Sequence, residues 1–171
     1  IGDQAYSGSS STGSGNVGIG HNALQNSTAT DNVAIGNGVA LALTGNDNVI
    51  LGVDAAASAS SITQCVIIGA NAASAGASAM TGGNNTVVGR SAGNVLTTGS
   101  ENTFVGAEAG DGTDDGADCV AVGFRALSGN CGSSNVAVGV NAGIAVTGTT
   151  NTLIGKGAGS GLGMVLKTYL L

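Results

Sequence analysis

The chain has 171 residues, a formal charge of −6 and four basic residues, which excludes the positive surface that nucleic acid or an anionic membrane would need. With 32 glycines, no proline, no tryptophan and only two tyrosines and two phenylalanines, any core must be thin and assembled from alanine, valine and isoleucine. A periodic hydrophobic content of 42% argues against a disordered linker, and the longest apolar run, 39–43, is far short of the roughly 20 residues of a membrane helix.

Taken in order, one five-residue idea recurs. The chain opens on Ile1-Gly2, the tail of that idea, and so reads as a piece of something longer that begins in mid-repeat. Then come NVGIG at Asn16, NVAIG at Asn32, NVILG at Asn48, CVIIG at Cys65 and NTVVG at Asn85. NTFVG at Asn102, CVAVG at Cys119, NVAVG at Asn135 and NTLIG at Asn151 complete the series. The motif glycines are separated by 18, 16, 16, 17, 20, 17, 17, 16 and 16 residues, which gives ten units with the first truncated. Each motif predicts a short strand, because β-branched residues alternate with spacers at period two. The glycine predicts a corner of positive φ. Three residues later stands an alanine in nine of the ten units, where Val39 is the exception, marking a close approach of two backbones. Turn signatures such as LTG at Leu43–Gly45 and VTG at Val146–Gly148 follow.

Units of this length are shorter than helical repeats (roughly 33 residues or more) and leucine-rich repeats (roughly 20–29). They fit one turn of an all-β parallel β-solenoid, or β-roll, with two short strands per coil and coils about 4.8 Å apart. Residues 1–159 are expected to form the solenoid, and 160–171, ending MVLKTYLL, a cap or the start of a following segment. The asparagines Asn16, Asn32, Asn48, Asn85, Asn102, Asn135 and Asn151 are expected to tolerate left-handed turns and to form a hydrogen-bonded ladder along the rod, a structural role.

The middle residue of each motif is apolar throughout: Gly18, Ala34, Ile50, Ile67, Val87, Phe104, Ala121, Ala137 and Leu153. Read as facing away from the coil's own core, Ala34 to Leu153 in this column form an oligomer interface, because a strand apolar on both faces is normally buried on both. A homotrimer is the natural closure for a fibre. A wider single-chain solenoid with a third strand is the competing explanation.

NVAIG and NVAVG resemble the head repeat of trimeric autotransporter adhesins of the YadA type, with the signature S/N-V-A-I-G-x-x-A. The unit from Asn85 to Gly99 is also similar to repeat shafts of bacteriophage tail fibres. The resemblance spans Ile1 to about Gly159 and implies a left-handed β-roll of three chains about a common axis. It implies an extracellular place, on a virion tail fibre or a bacterial cell surface, and attachment to a cell-surface receptor or glycan. The units here are longer and less regular than the adhesin pattern, and no coiled-coil stalk or membrane anchor is visible in this stretch. Rival readings are a self-assembling extracellular filament subunit and an ice-binding solenoid, the latter weakened because Thr86, Thr103 and Thr152 interrupt a column of valine.

No pattern points to an enzyme or a bound cofactor. His21 stands alone and reads as a solvated turn residue, and GAGSGLG at 157–163 lacks the strand–helix context of a dinucleotide site. The segment DGTDDGAD carries Asp111, Asp114, Asp115 and Asp118, either a calcium site or a solvated acidic turn; it lacks the closing glutamate of a calcium loop. Cys65 and Cys119 fall three units apart, too far to bond, whereas Cys119 and Cys131 approach one corner of successive coils, where a bridge is open. The preferred reading of the three thiols is small apolar packing. The 20-residue step carries AASAGASAMTGGN, expected to bulge as a surface loop suited to receptor contact.

Overall fold

The computed structural model describes residues 1–9, 11–76, 79–161 and 169–170. Ala77 and Ser78 of the expected surface loop, and residues 162–168 and 171 of the expected cap, lie outside the described residues.

Nine three-residue strands repeat along the chain: β1 (Val17–Ile19), β2 (Val33–Ile35), β3 (Val49–Leu51), β4 (Val66–Ile68), β5 (Thr86–Val88), β6 (Thr103–Val105), β7 (Val120–Val122), β8 (Val136–Val138) and β9 (Thr152–Ile154). Each pairs in parallel with the next in unbroken register, so Val33 stands on Val49, Ala34 on Ile50 and Ile35 on Leu51. A two-residue β10 (Tyr169–Leu170) pairs in parallel with Thr152 and Leu153. The chain is thus an all-β parallel solenoid whose nine repeat strands bound about eight turns. Below, coil n is the unit containing βn.

One strand per coil is described, where two were expected. The return limb is a left-handed ribbon instead. Two and four residues after the motif glycine the backbone turns to positive φ, as at Asp54 (53°) and Ala56 (49°) or Glu108 (58°) and Gly110 (62°). These residues still hydrogen-bond from rung to rung: Gly93 N donates to Ala109 O at 2.9 Å, and Gly110 N to Ala126 O at 2.8 Å. Parallel bonding therefore continues round the coil without a second extended segment, so the limb satisfies its backbone while curling.

At the motif glycine two requirements coincide. Gly36 has φ of 150°, and a Cβ there would lie 2.2 Å from the carbonyl oxygen of Gly52 in the next coil. A side chain would have to displace the neighbouring backbone, and the same holds at each motif glycine from Gly20 to Gly139.

The core lies between strand and ribbon. The alanine column is fully buried from Ala23 to Ala142, with Val39 in its place in coil 2, and sets a narrow coil. From the ladder residue to this column the spacing is seven in every coil, as in Asn16 to Ala23, Cys65 to Ala72 and Asn151 to Ala158. All variation in unit length falls in the corner that follows.

Candidate functional site

The direction of the strand side chains reverses the sequence-based expectation. Ala34, Ile50, Ile67, Val87, Phe104, Ala121, Ala137 and Leu153 are fully buried inside the single chain and cannot form an oligomer interface. The reason is the ribbon opposite. The middle strand residue meets the second left-handed residue of its own coil, and the two share one volume. Phe104 faces Gly110, whose Cβ would lie 2.5 Å from the ring, and Leu153 faces Gly159 at 2.9 Å. In two coils a small strand residue faces a large ribbon residue, Gly18 with Leu24 and Ala121 with Leu127. Ala137 and Gly143 are both small, and Leu127 and Leu153 of the neighbouring coils fill the space there. The pairs Phe104–Gly110, Gly18–Leu24 and Ala121–Leu127 were a partial signal in the sequence for the inward face.

The outward face is made by the flanking residues. Val17, Val49, Val66, Ile68, Val105, Val122, Val138 and Ile154 are 36–51% exposed. Thr86, Thr103 and Thr152 occupy the same outer face and are half-buried. Val53, Phe124 and Val140, one residue past the glycine, extend the apolar surface beyond the strand. With nine rungs at a spacing of about 4.8 Å, the stripe runs about 38 Å along the rod.

At one end of each strand, inside the corner, sit the asparagines. Asn32, Asn48, Asn85, Asn102, Asn135 and Asn151 are buried, and each amide is used by the neighbouring coil. Asn48 Oδ1 accepts from Cys65 N at 2.9 Å, while Asn48 Nδ2 donates to Asn32 Oδ1 at 2.8 Å and to Ile62 O at 3.0 Å. Asn151 Nδ2 likewise donates to Asn135 Oδ1 at 2.8 Å. Asn16 starts the ladder, accepting from Asn32 N at 3.0 Å. The left-handed turn falls one residue earlier, on Asp31, Asp47, Gln64, Asn84, Glu101, Asp118, Ser134 and Thr150, and not on the asparagines themselves. The aspartates and Asn84 among them were the available signal.

Cysteine replaces asparagine twice. Cys65 Sγ accepts from Asn85 N at 3.4 Å, and burial pushes its thiol above the ordinary cysteine range. Cys119 Sγ donates toward Gly132 O, 3.3 Å away. Cys131 fills the core at the following corner, its sulfur 3.3 Å from Thr113 Oγ1.

The acidic segment does not gather. Asp115 and Asp118 are exposed, Asp114 accepts a hydrogen bond from Thr97 Oγ1, and Asp111 is half-buried with Oδ1 lacking a partner. Among the described residues no three His, Cys, Asp or Glu side chains converge on a point that could hold a metal ion. Burial, then the nearby Glu108 carboxylate, pushes Asp111 above the usual carboxylate range. Asn94, Thr97, Asp114 and Asn130 line an open groove of about 440 Å³ that crosses coils 4 to 7 beside the long unit. That unit folds back on the rod, since Met80 is fully buried in the core. His21 is exposed, with Nε2 3.8 Å from Asp3 Oδ2. No described helix is long and apolar enough to cross a membrane.

No family model, curated protein or solved structure matches the chain.

Proposed function

We propose that this chain is a structural rod segment of a homotrimeric fibre, serving attachment at a virion tail or a bacterial cell surface. One observation carries the reading: the outward face of the sheet presents a largely aliphatic stripe, interrupted only by Thr86, Thr103 and Thr152 among the strand residues, on a parallel sheet whose other face is already core. Parallel sheets are normally covered on both faces, and an exposed apolar stripe of this length would cause aggregation if left bare. Three copies facing a common axis cover it, and the partner for each stripe is the same stripe on another chain. The interface therefore runs through Val49, Val66, Ile68, Val105, Val122 and Val138. Rung-to-rung hydrogen bonding through strand and ribbon gives stiffness without a large core. The polar groove beside the long unit is the natural place for a receptor or glycan to touch the shaft.

The native mass of the assembly tests this. The wild-type chain is expected at three times its own mass, and Val122→Glu is expected to dissociate it while the circular dichroism of the coil is kept. A wild-type chain that stays folded and monomeric at high concentration would refute the reading.

A further inference from the structure

The two cysteines at 119 and 131 stand apart from every other pair of side chains in the ladder. Where asparagine opens a strand, its amide donates twice, as Asn85 does to Gly82 O and to Gly99 O, both at 3.0 Å. Cys119 has one weak proton for the equivalent carbonyls of Ala117, at 3.4 Å, and Gly132, at 3.3 Å. Gly132 is the residue after Cys131. The Cys131 sulfur turns toward the same corner, against Thr113 Oγ1 at 3.3 Å, beside the Cys119 sulfur. Both are buried, at 0% and 1% exposure. Cys131 lies in the corner that leads into the strand of the next coil, and the carbonyl of its neighbour Gly132 is 3.3 Å from the Cys119 sulfur. Cys65 is three coils away, about 14 Å, and has no thiol beside it.

We infer that Cys119 and Cys131 close an intrachain disulfide when the chain folds in the presence of a small-molecule disulfide such as oxidised glutathione, while Cys65 remains a thiol. The chemistry balances as two exchanges. The Cys131 thiolate attacks one sulfur of the small disulfide, forming a mixed disulfide and releasing one small thiolate. Cys119 then loses its proton, its sulfur attacks the Cys131 sulfur, and the second small thiolate leaves. Two protein thiols are oxidised and one small disulfide is reduced to two thiols. The order of attack follows from the pair. The hydrogen bond from Cys119, helped by the Thr113 hydroxyl, pulls Cys131 down, whereas that same bond and burial push Cys119 up. Because both sulfurs are enclosed in the finished coil, exchange takes place while this corner is only partly closed, with the two thiols already paired but still reachable by the small disulfide.

The bond would join the two ends of coil 7. Solenoids fray from their ends, one coil at a time, so such a staple would stop opening from the C-terminal side at that rung.

Arg125 lies between the two cysteines, which makes the bridge directly readable. The chain is refolded with oxidised glutathione, unfolded, alkylated without reduction and digested with trypsin. Peptides 91–125 and 126–156 are expected joined, two hydrogens lighter than their sum, and parted by reductant, with peptide 1–90 alkylated at Cys65. The unreduced chain keeps the mass of one chain in denaturant, and its urea midpoint is higher than that of the reduced sample. The Cys119→Ser variant should lose that oxidation-dependent rise. Alkylation of both Cys119 and Cys131, a lasting glutathione adduct, a bridge to peptide 1–90 or a covalent dimer would each overturn the inference. None of these outcomes depends on whether the rod is a trimer.

Discussion

Gly110 offers the sharpest test of the inward packing. It lies at φ of 62°, and a methyl group there would stand 2.5 Å from Cδ2 and Cε2 of Phe104. Two costs arise in Gly110→Ala. Holding alanine in the left-handed region costs about 1–2 kcal/mol. Forcing a methyl into a filled core costs about 1–3 kcal/mol more, for a total of about 2–5 kcal/mol. Alanine is native at this column in coils 2 to 4, at Ala40, Ala56 and Ala73, so the backbone itself accepts the residue. Gly157 separates the two costs: its φ is 70°, and an added Cβ would meet only Ser160 Oγ at 3.7 Å. Gly157→Ala should therefore show the backbone cost alone, about 1–2 kcal/mol. Urea denaturation of Gly110→Ala, Phe104→Val and the double variant closes a cycle in which the double variant recovers at least about 1 kcal/mol. If the two changes add to within about 0.5 kcal/mol, ring and glycine do not share a volume and the inward assignment of Phe104 fails.

Cys65→Asn should stabilise the chain by about 1 kcal/mol, since an amide could donate to Gly82 O, now 3.8 Å from sulfur, and to Thr63 O while still accepting from Asn85 N. A lower urea midpoint would show that the corner has no room for the amide. Asp111 binds its proton more tightly folded than unfolded, so its contribution to stability falls as pH rises from its unfolded pKa through its raised folded one. Asp111→Asn should accordingly raise the thermal midpoint at neutral pH and leave it unchanged in acid where the carboxyl is protonated. An equal shift at both would rule out the charge as the cause.

The repeat and the parallel solenoid were legible because strand, glycine and alanine recur at fixed offsets, and each column admits few residue types. The facing of the strand was not legible from the strand alone. In NVAIG both the Val-Ile pair and the intervening alanine are apolar, so period-two patterning gives no polar side to send outward. Only comparison with a second column, in which Gly110 answers Phe104 and Leu127 answers Ala121, breaks the tie. The number of strands per coil was misread for a related reason: left-handed alanines such as Ala40 and Ala56 carry no sequence mark that separates them from strand residues. The acidic segment looked like a cluster because its carboxylates are close in sequence, but the corner sends Asp115 and Asp118 to solvent and Asp111 toward the rod.

The constant seven-residue span from ladder to alanine, followed by a corner of free length, makes this molecule a ruler graduated in whole rungs. Deleting part of a strand would shift every later side chain to the wrong face, whereas removing a complete unit such as 119–134 would bring Asn135 onto Asn102 in the same register. Reach can thus be changed only in increments of about 4.8 Å, and extra sequence can be accommodated only at the corners, where the long unit already carries its surplus.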